Sequence, residues 1–186
     1  SDTGFQLLIK ALEHVTSLSF PDLLAARITN PLGLTDTWHP NSTPPPAAPS
    51  PLPLYAKRTR VDLPGVIRSS NDLFSTLHDL LTFERSLVTG ALFSNPHTRD
   101  LLTERRNRLR NAPNLRYGLG TMTFDVNRLM VPAPTPVSLV GHSGSTGTWL
   151  FTAPALGVHL VGTVNQTQSR ALPFQVMAKT LRIWTR

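Results

Sequence analysis

A chain of 186 residues, 40% hydrophobic and 16% charged, carries enough apolar side chains for a globular core. No apolar run approaches the ~20 residues a membrane-crossing helix needs, so no membrane span is expected. The absence of cysteine excludes a disulfide framework and thiolate metal sites.

The formal charge of +7 raises nucleic acid as a partner, because Arg105, Arg106, Arg108 and Arg110 crowd the stretch from Arg99 to Arg116. No aromatic platform interleaves with these arginines before Tyr117, and no nucleic-acid module is present. The expectation is therefore no nucleic-acid partner, with the cations on a solvated helix end. Asn41-Ser42-Thr43 and Asn165-Gln166-Thr167 fit a glycosylation pattern that arises often by chance, so secreted and cytoplasmic locations both stay open.

In chain order, Phe5, Leu8, Ile9, Leu12 and Val15 recur as one helical face, predicting a helix over Thr3–Ser17 capped by Asp2 or Thr3. A second helix is predicted from Phe20 to about Thr29, with Leu23, Leu24 and Ile28 inward. Pro31 disfavours α geometry at Asn30 and is expected to stop it. From Thr35 the chain turns irregular, with Pro44-Pro45-Pro46, Pro49, Pro51 and Pro53 favouring polyproline geometry. That stretch reads as a linker or as an ordered surface crossing.

Ser75 caps the next predicted helix, Thr76–Thr89, with Leu77, Leu80, Leu81, Leu87 and Val88 inward and Gly90 ending it. Another helix is expected over Pro96–Arg106. Strands are predicted at Tyr117–Val126, Val137–Ser143, Thr146–Ala153 and Val158–Asn165, with Pro154–Gly157 as a tight hairpin. A closing helix over Ala171–Trp184 uses Phe174, Met177, Leu181 and Trp184 as its core face. Helices, then hairpinned strands, then a helix indicate an α+β fold with an antiparallel sheet. Residues 1–116 form the mainly helical part, with a Pro-rich crossing at 39–64, and residues 117–186 hold the strands and the last helix.

Gly141-His142-Ser143-Gly144-Ser145-Thr146-Gly147 lies between two apolar runs. Glycine weakens a strand and marks places where a ligand or another backbone comes close. With hydroxyls and an imidazole interleaved, the stretch can form one wall of a binding cleft; equally, it can be a polar hairpin approach. The histidines show no metal spacing, and no metal or cofactor is expected. Trp38 and Trp149 read as packing residues, with Trp149 also able to line the cleft.

Several segments in order resemble the serine β-lactamase and penicillin-binding-protein superfamily, particularly its class C-like branch. They are Ser1-Asp2-Thr3-Gly4-Phe5, Asn30-Pro31-Leu32-Gly33-Leu34-Thr35-Asp36-Thr37, Ser75-Thr76-Leu77-His78-Asp79-Leu80-Leu81-Thr82-Phe83, Tyr117-Gly118-Leu119-Gly120 and His142-Ser143-Gly144, with Asn165 after the following strand. The resemblance implies a β-lactamase/transpeptidase-like fold and acyl transfer through a serine ester on a small ester, amide or β-lactam. It implies catalytic roles for His142 and for the Ser145 N–H as an oxyanion donor. It also implies that Ser143, Gly144 and Asp2 contact substrate, Asp2 standing at the Asn of the family's Tyr-x-Asn element. His142 replaces the commoner Lys and would hydrogen-bond the family's catalytic Tyr or set its protonation.

The family's nucleophile lies in Ser-x-x-Lys, and no serine here has Lys three positions on. The first strands, the nucleophile helix and the Tyr of Tyr-x-Asn would precede residue 1. The expectation is thus the C-terminal part of one such domain, inactive alone, whose partner is the missing N-terminal part. Alternatives are a non-catalytic scaffold or binding protein of the same fold and, third, a basic interaction module.

Overall fold

The computed structural model describes residues 2–61, 67, 70–104, 107–110, 112–128, 131–133 and 136–185. Ser1, Arg105, Arg106 and the end of the Pro-rich crossing beyond Val61 lie outside the described residues. The chain divides into two compact units, residues 1–53 with 61–83, and residues 54–60 with 84–186.

In the first unit, α1 (Asp2–Thr16) begins at Asp2, so Asp2 and Thr3 lie within its first turn rather than capping it. Its apolar stripe is not inward: Phe5, Leu8, Leu12 and Val15 are exposed, Val15 at 80%. The half-buried stripe is Gln6, Ile9, Glu13 and Thr16. Polar anchoring explains the orientation. Gln6 Nε2 donates to the Ser70 carbonyl (2.7 Å), and its Oε1 accepts from Asn71 Nδ2 (2.6 Å). Glu13 Oε1 accepts from the Phe20 amide at 2.9 Å.

Ser19 caps α2 (Phe20–Leu24), accepting from the Asp22 amide. The helix does not stop before Pro31. It widens into a π-type turn over Ala25–Thr29 and resumes as α3 (Asn30–Leu32), with Asn30 in α geometry at φ −67°, ψ −49°. In the wide turn the Asn30 amide reaches back to the Ala25 carbonyl, and that of Leu34 to Thr29. The shifted ladder relieves the conflict a proline creates in regular α register. Gly33, at φ 64°, then closes the helix in the left-handed region that favours glycine.

Within the same unit, Trp38 and Phe74 exchange both backbone hydrogen bonds at 3.0 Å, and their rings stack with centroids 5.2 Å apart. The cap of α4 (Leu77–Thr89) is Thr76, not Ser75: Thr76 Oγ1 accepts from the Asp79 amide at 3.2 Å. Ser75 instead lies 2.8 Å from the Thr37 hydroxyl. Buried Asp79 accepts from the Asp36 amide (2.9 Å) and Thr37 Oγ1 (2.8 Å), tying the start of α4 to the loop after α3. Leu77 and Val88 are exposed, leaving Leu80, Leu81 and Leu87 as the half-buried leucines of the helix.

The second unit includes the hairpin of β1 (Leu54–Ala56) and β2 (Thr59–Val61) up to Arg60, α4 from Glu84 onward, and α5 (Pro96–Glu104). A six-stranded antiparallel sheet then runs in sequence order: β3 (Asn107–Leu109), β4 (Ala112–Tyr117), β5 (Met122–Val126), β6 (Val137–Ser143), β7 (Thr148–Ala153) and β8 (Val158–Thr163). The fold is α+β, as the sequence pattern indicates.

Two strand assignments change. The predicted strand over Tyr117–Val126 is broken by a turn in which the Gly118 amide donates to the Thr121 carbonyl at 2.7 Å. The sheet also starts earlier, at Asn107, so Arg108 sits on an exposed edge strand and not on a helix end. A charged side chain there discourages pairing with another chain.

α6 (Leu172–Trp184) closes the core. Met177 and Leu181 are buried with Leu139, Phe151 and Leu160 of the sheet, and Phe174 meets the rings of Phe124 and Phe151 at 4.8 and 5.9 Å. Each such fully buried side chain contributes about 1.5–3 kcal/mol. Trp184, predicted inward, is 67% exposed at the helix end. Trp149 is a packing residue seated over Gly162, where a Cβ would lie 2.3 Å from the indole.

Candidate active site

The Gly141–Gly147 stretch ends β6 and turns into β7, which begins at Thr148 and not at the predicted Thr146. The turn is closed by backbone bonds: the Gly144 amide donates to the Thr148 carbonyl (2.8 Å), and the Gly147 amide to the Gly144 carbonyl (3.1 Å). Gly147 is at φ 82°, and a Cβ on it would lie 2.6 Å from Val164 Cγ2, so the position needs glycine twice over. Ser145 and Gly144 are exposed, whereas His142 and Ser143 are half-buried.

Segments after β8 hold the turn from the other side. The Val164 amide donates to the Gly147 carbonyl (3.1 Å), and the Gln166 amide to the Thr146 carbonyl (3.0 Å). The side-chain amide of Gln166 also brackets Lys57 of the β1–β2 hairpin, accepting from its N–H (2.7 Å) and donating to its carbonyl (3.0 Å). Asn165, at φ 46°, is fixed by Thr163: its amide donates to the Thr163 hydroxyl, which donates to Asn165 Oδ1. One end of the sheet therefore gathers the β4–β5 turn, the β6–β7 turn, the chain after β8 and the hairpin tip.

His142 Nε2 lies 2.8 Å from the Tyr117 hydroxyl at the end of β4, the rings edge to face with centroids 5.6 Å apart. Burial pushes the His142 pKa down, and a hydrogen bond to the Ser143 backbone works the other way. The ring thus favours the neutral form. Among the described residues, Ser143 Oγ makes only a weak side-chain contact, 3.8 Å from Met122 Sδ, and so keeps its hydrogen-bonding capacity for another partner.

Of the residues singled out by sequence, His142, Ser143, Gly144 and Ser145 come together on this one strand end. Asp2 is exposed in the first turn of α1, in the other unit. Sequence reasoning gave Tyr117 no role beyond its motif, and overlooked Gln166 as a brace. The Tyr-Gly-Leu-Gly motif was the available signal for Tyr117, but only a hydrogen bond across 25 positions reveals its partner.

A family model described as Beta-lactamase matches residues 1–180, and the chain belongs to that family. Among solved structures, the chain resembles a D-stereospecific amidohydrolase from a Streptomyces species (23% identity, TM-score 0.74), covering 96% of this chain and 53% of the other. It also resembles the D-amino acid amidase of Ochrobactrum anthropi SV3, solved with L-phenylalanine, at 19% identity and TM-score 0.76 over 99% and 56% of the two chains. A beta-lactamase from Mycobacterium bovis matches at 18% identity and TM-score 0.65, over 100% and 64%. These likenesses establish the fold, and the chain spans a little over half the length of the first two structures. No curated protein sequence matches it.

Proposed function

We propose that the protein is a β-lactamase-related serine hydrolase or acyltransferase, to which this chain contributes the C-terminal part of the domain. The observation that carries the reading is the braced His142-Ser143-Gly144-Ser145 turn in a chain of this family. In the reaction a serine Oγ outside these residues attacks the carbonyl of a small ester, amide or β-lactam. Its proton passes to a base, the leaving group departs with a proton, and water or another acceptor takes the acyl group.

The Ser145 N–H would stabilise the developing oxyanion. Gly144 presents no side chain, so substrate can lie against the backbone, and the Ser143 hydroxyl meets its polar groups. Asp2 is assigned to orienting substrate. The exposed Phe5-Leu8-Leu12-Val15 stripe on α1 supports the view that further chain of the same domain completes the fold, since contiguous exposed apolar surface usually has a partner.

Ser145→Pro tests this reading. It deletes the N–H at the second position of a four-residue turn, a position that suits proline. In the intact protein, kcat on a chromogenic ester should fall by about 10²–10³, the usual cost of one oxyanion donor, while circular dichroism stays unchanged. Undiminished turnover overturns the assignment. So does burst hydrolysis by these 186 residues alone that disappears when one of their own serines is replaced.

A further inference from the structure

We propose that Tyr117 is a positioning residue that holds His142 as the neutral Nδ1–H tautomer by donating its hydroxyl proton to Nε2. Its mechanistic consequence rests on the acyl-transfer reading above; the hydrogen-bond assignment does not. The resemblance assigns the residue at this place to the family's catalytic Tyr or to its protonation. The geometry instead spends Nε2 on a tyrosine of β4, two strands away in the same sheet and at 2.8 Å.

The direction of the bond follows from donor and acceptor strength. A phenol is a good donor, and the unprotonated nitrogen of neutral imidazole is a good acceptor that has no other use for its lone pair. The edge-to-face ring contact fixes the imidazole plane at the same time. Protonation of His142 would force Nε2 to donate, reverse the bond and place a cation on a half-buried ring.

No neighbouring strand offers that cation a free counter-charge. β4 brings Arg116 and Tyr117, β5 brings Asp125, and β7 brings no ionisable group. Arg116 and Asp125 pair with each other at 3.2 Å. Asp125 further accepts from the Ser138 hydroxyl at 2.7 Å. His142 therefore works as a fixed, uncharged part of the cleft wall, and the acid–base steps belong to other groups.

Nitrogen-detected NMR of histidine-labelled protein tests the assignment without a mutation. Across pH 5.5–8 His142 should show a protonated Nδ1 and an unprotonated Nε2. A dominant Nε2–H tautomer, or ordinary titration near 6.5, overturns the proposal. In Tyr117→Phe, His142 should titrate nearer its ordinary value. On the intact enzyme, kcat/KM at pH 5.5 relative to pH 7.5 should then drop about tenfold further than in wild type, as one unit of pKa implies. An unchanged profile overturns the positioning role. Absent acyl transfer in wild type, with the NMR result intact, sinks the functional reading and leaves the tautomer assignment standing.

Discussion

Replacing His159 by leucine probes a buried charged contact in the second unit. Glu84, on α4, is 2% exposed, and its carboxylate meets His159 Nδ1 on β8 at 2.7 Å. Its other oxygen, Oε1, is buried with no hydrogen-bond partner among the described residues. Burial pushes the Glu84 pKa up, while the hydrogen bond and charge of His159, and the charge of Arg85, pull it down. A carboxyl with a raised folded-state pKa binds more protons in the native than in the unfolded state. Stability should therefore decline as pH rises through the window between the ordinary carboxylate value and the folded one.

His159→Leu removes the largest opposing influence, so it should extend that window upward and make the loss steeper. At pH 8, stranding the buried carboxylate should cost about 3–5 kcal/mol. For a chain of this size that is a drop in Tm of roughly 6–20 °C, taking about 2–4 °C per kcal/mol. At pH 4.5 the carboxyl takes a proton, and the cost should shrink to about 1 kcal/mol, that of one hydrogen bond. Glu84→Leu combined with His159→Leu should recover at least half the loss, because an apolar pair leaves no charge unpaired. Urea melts by circular dichroism at both pH values decide it. A pH-independent cost, or a double variant no better than the single, refutes the reasoning.

Two further outcomes follow from close packing and polar anchoring. Gly162→Ala places a methyl 2.3 Å from the Trp149 ring and should cost about 1–3 kcal/mol with a changed tryptophan fluorescence; an unshifted melt would contradict the packing described. Asp79→Ala leaves the Asp36 amide and Thr37 hydroxyl without their acceptor, so stability should fall by about 1–3 kcal/mol. Amide exchange at Asp36 should accelerate, and unchanged protection there would show that Asp79 is not the anchor.

Local structure was largely readable. Pro154 and Gly157 bracket a short turn between β7 and β8, as their chemistry requires, with Gly157 left-handed at φ 63°. The apolar spacing that placed α4 and α6 is likewise a local property, and both helices exist close to the predicted bounds. The order of family-like segments was also legible, since motifs keep their sequence in any fold. The turn at Gly118–Thr121 was hidden because its flanks are β-formers on both sides and its glycines fit a strand motif equally well.

What the sequence by itself determined is which segments are helical or extended and that a glycine-and-hydroxyl turn joins two strands. Tertiary structure alone decided which face of α1 is anchored. Periodicity defines two stripes but not which one meets the rest of the unit, and Gln6 and Glu13 found fixed polar partners there. It alone joined Tyr117 to His142, and Glu84 to His159 across 75 positions. A residue's protonation and hydrogen-bonding capacity depend on what other strands carry to within 3 Å of it. No spacing along the chain encodes that distance.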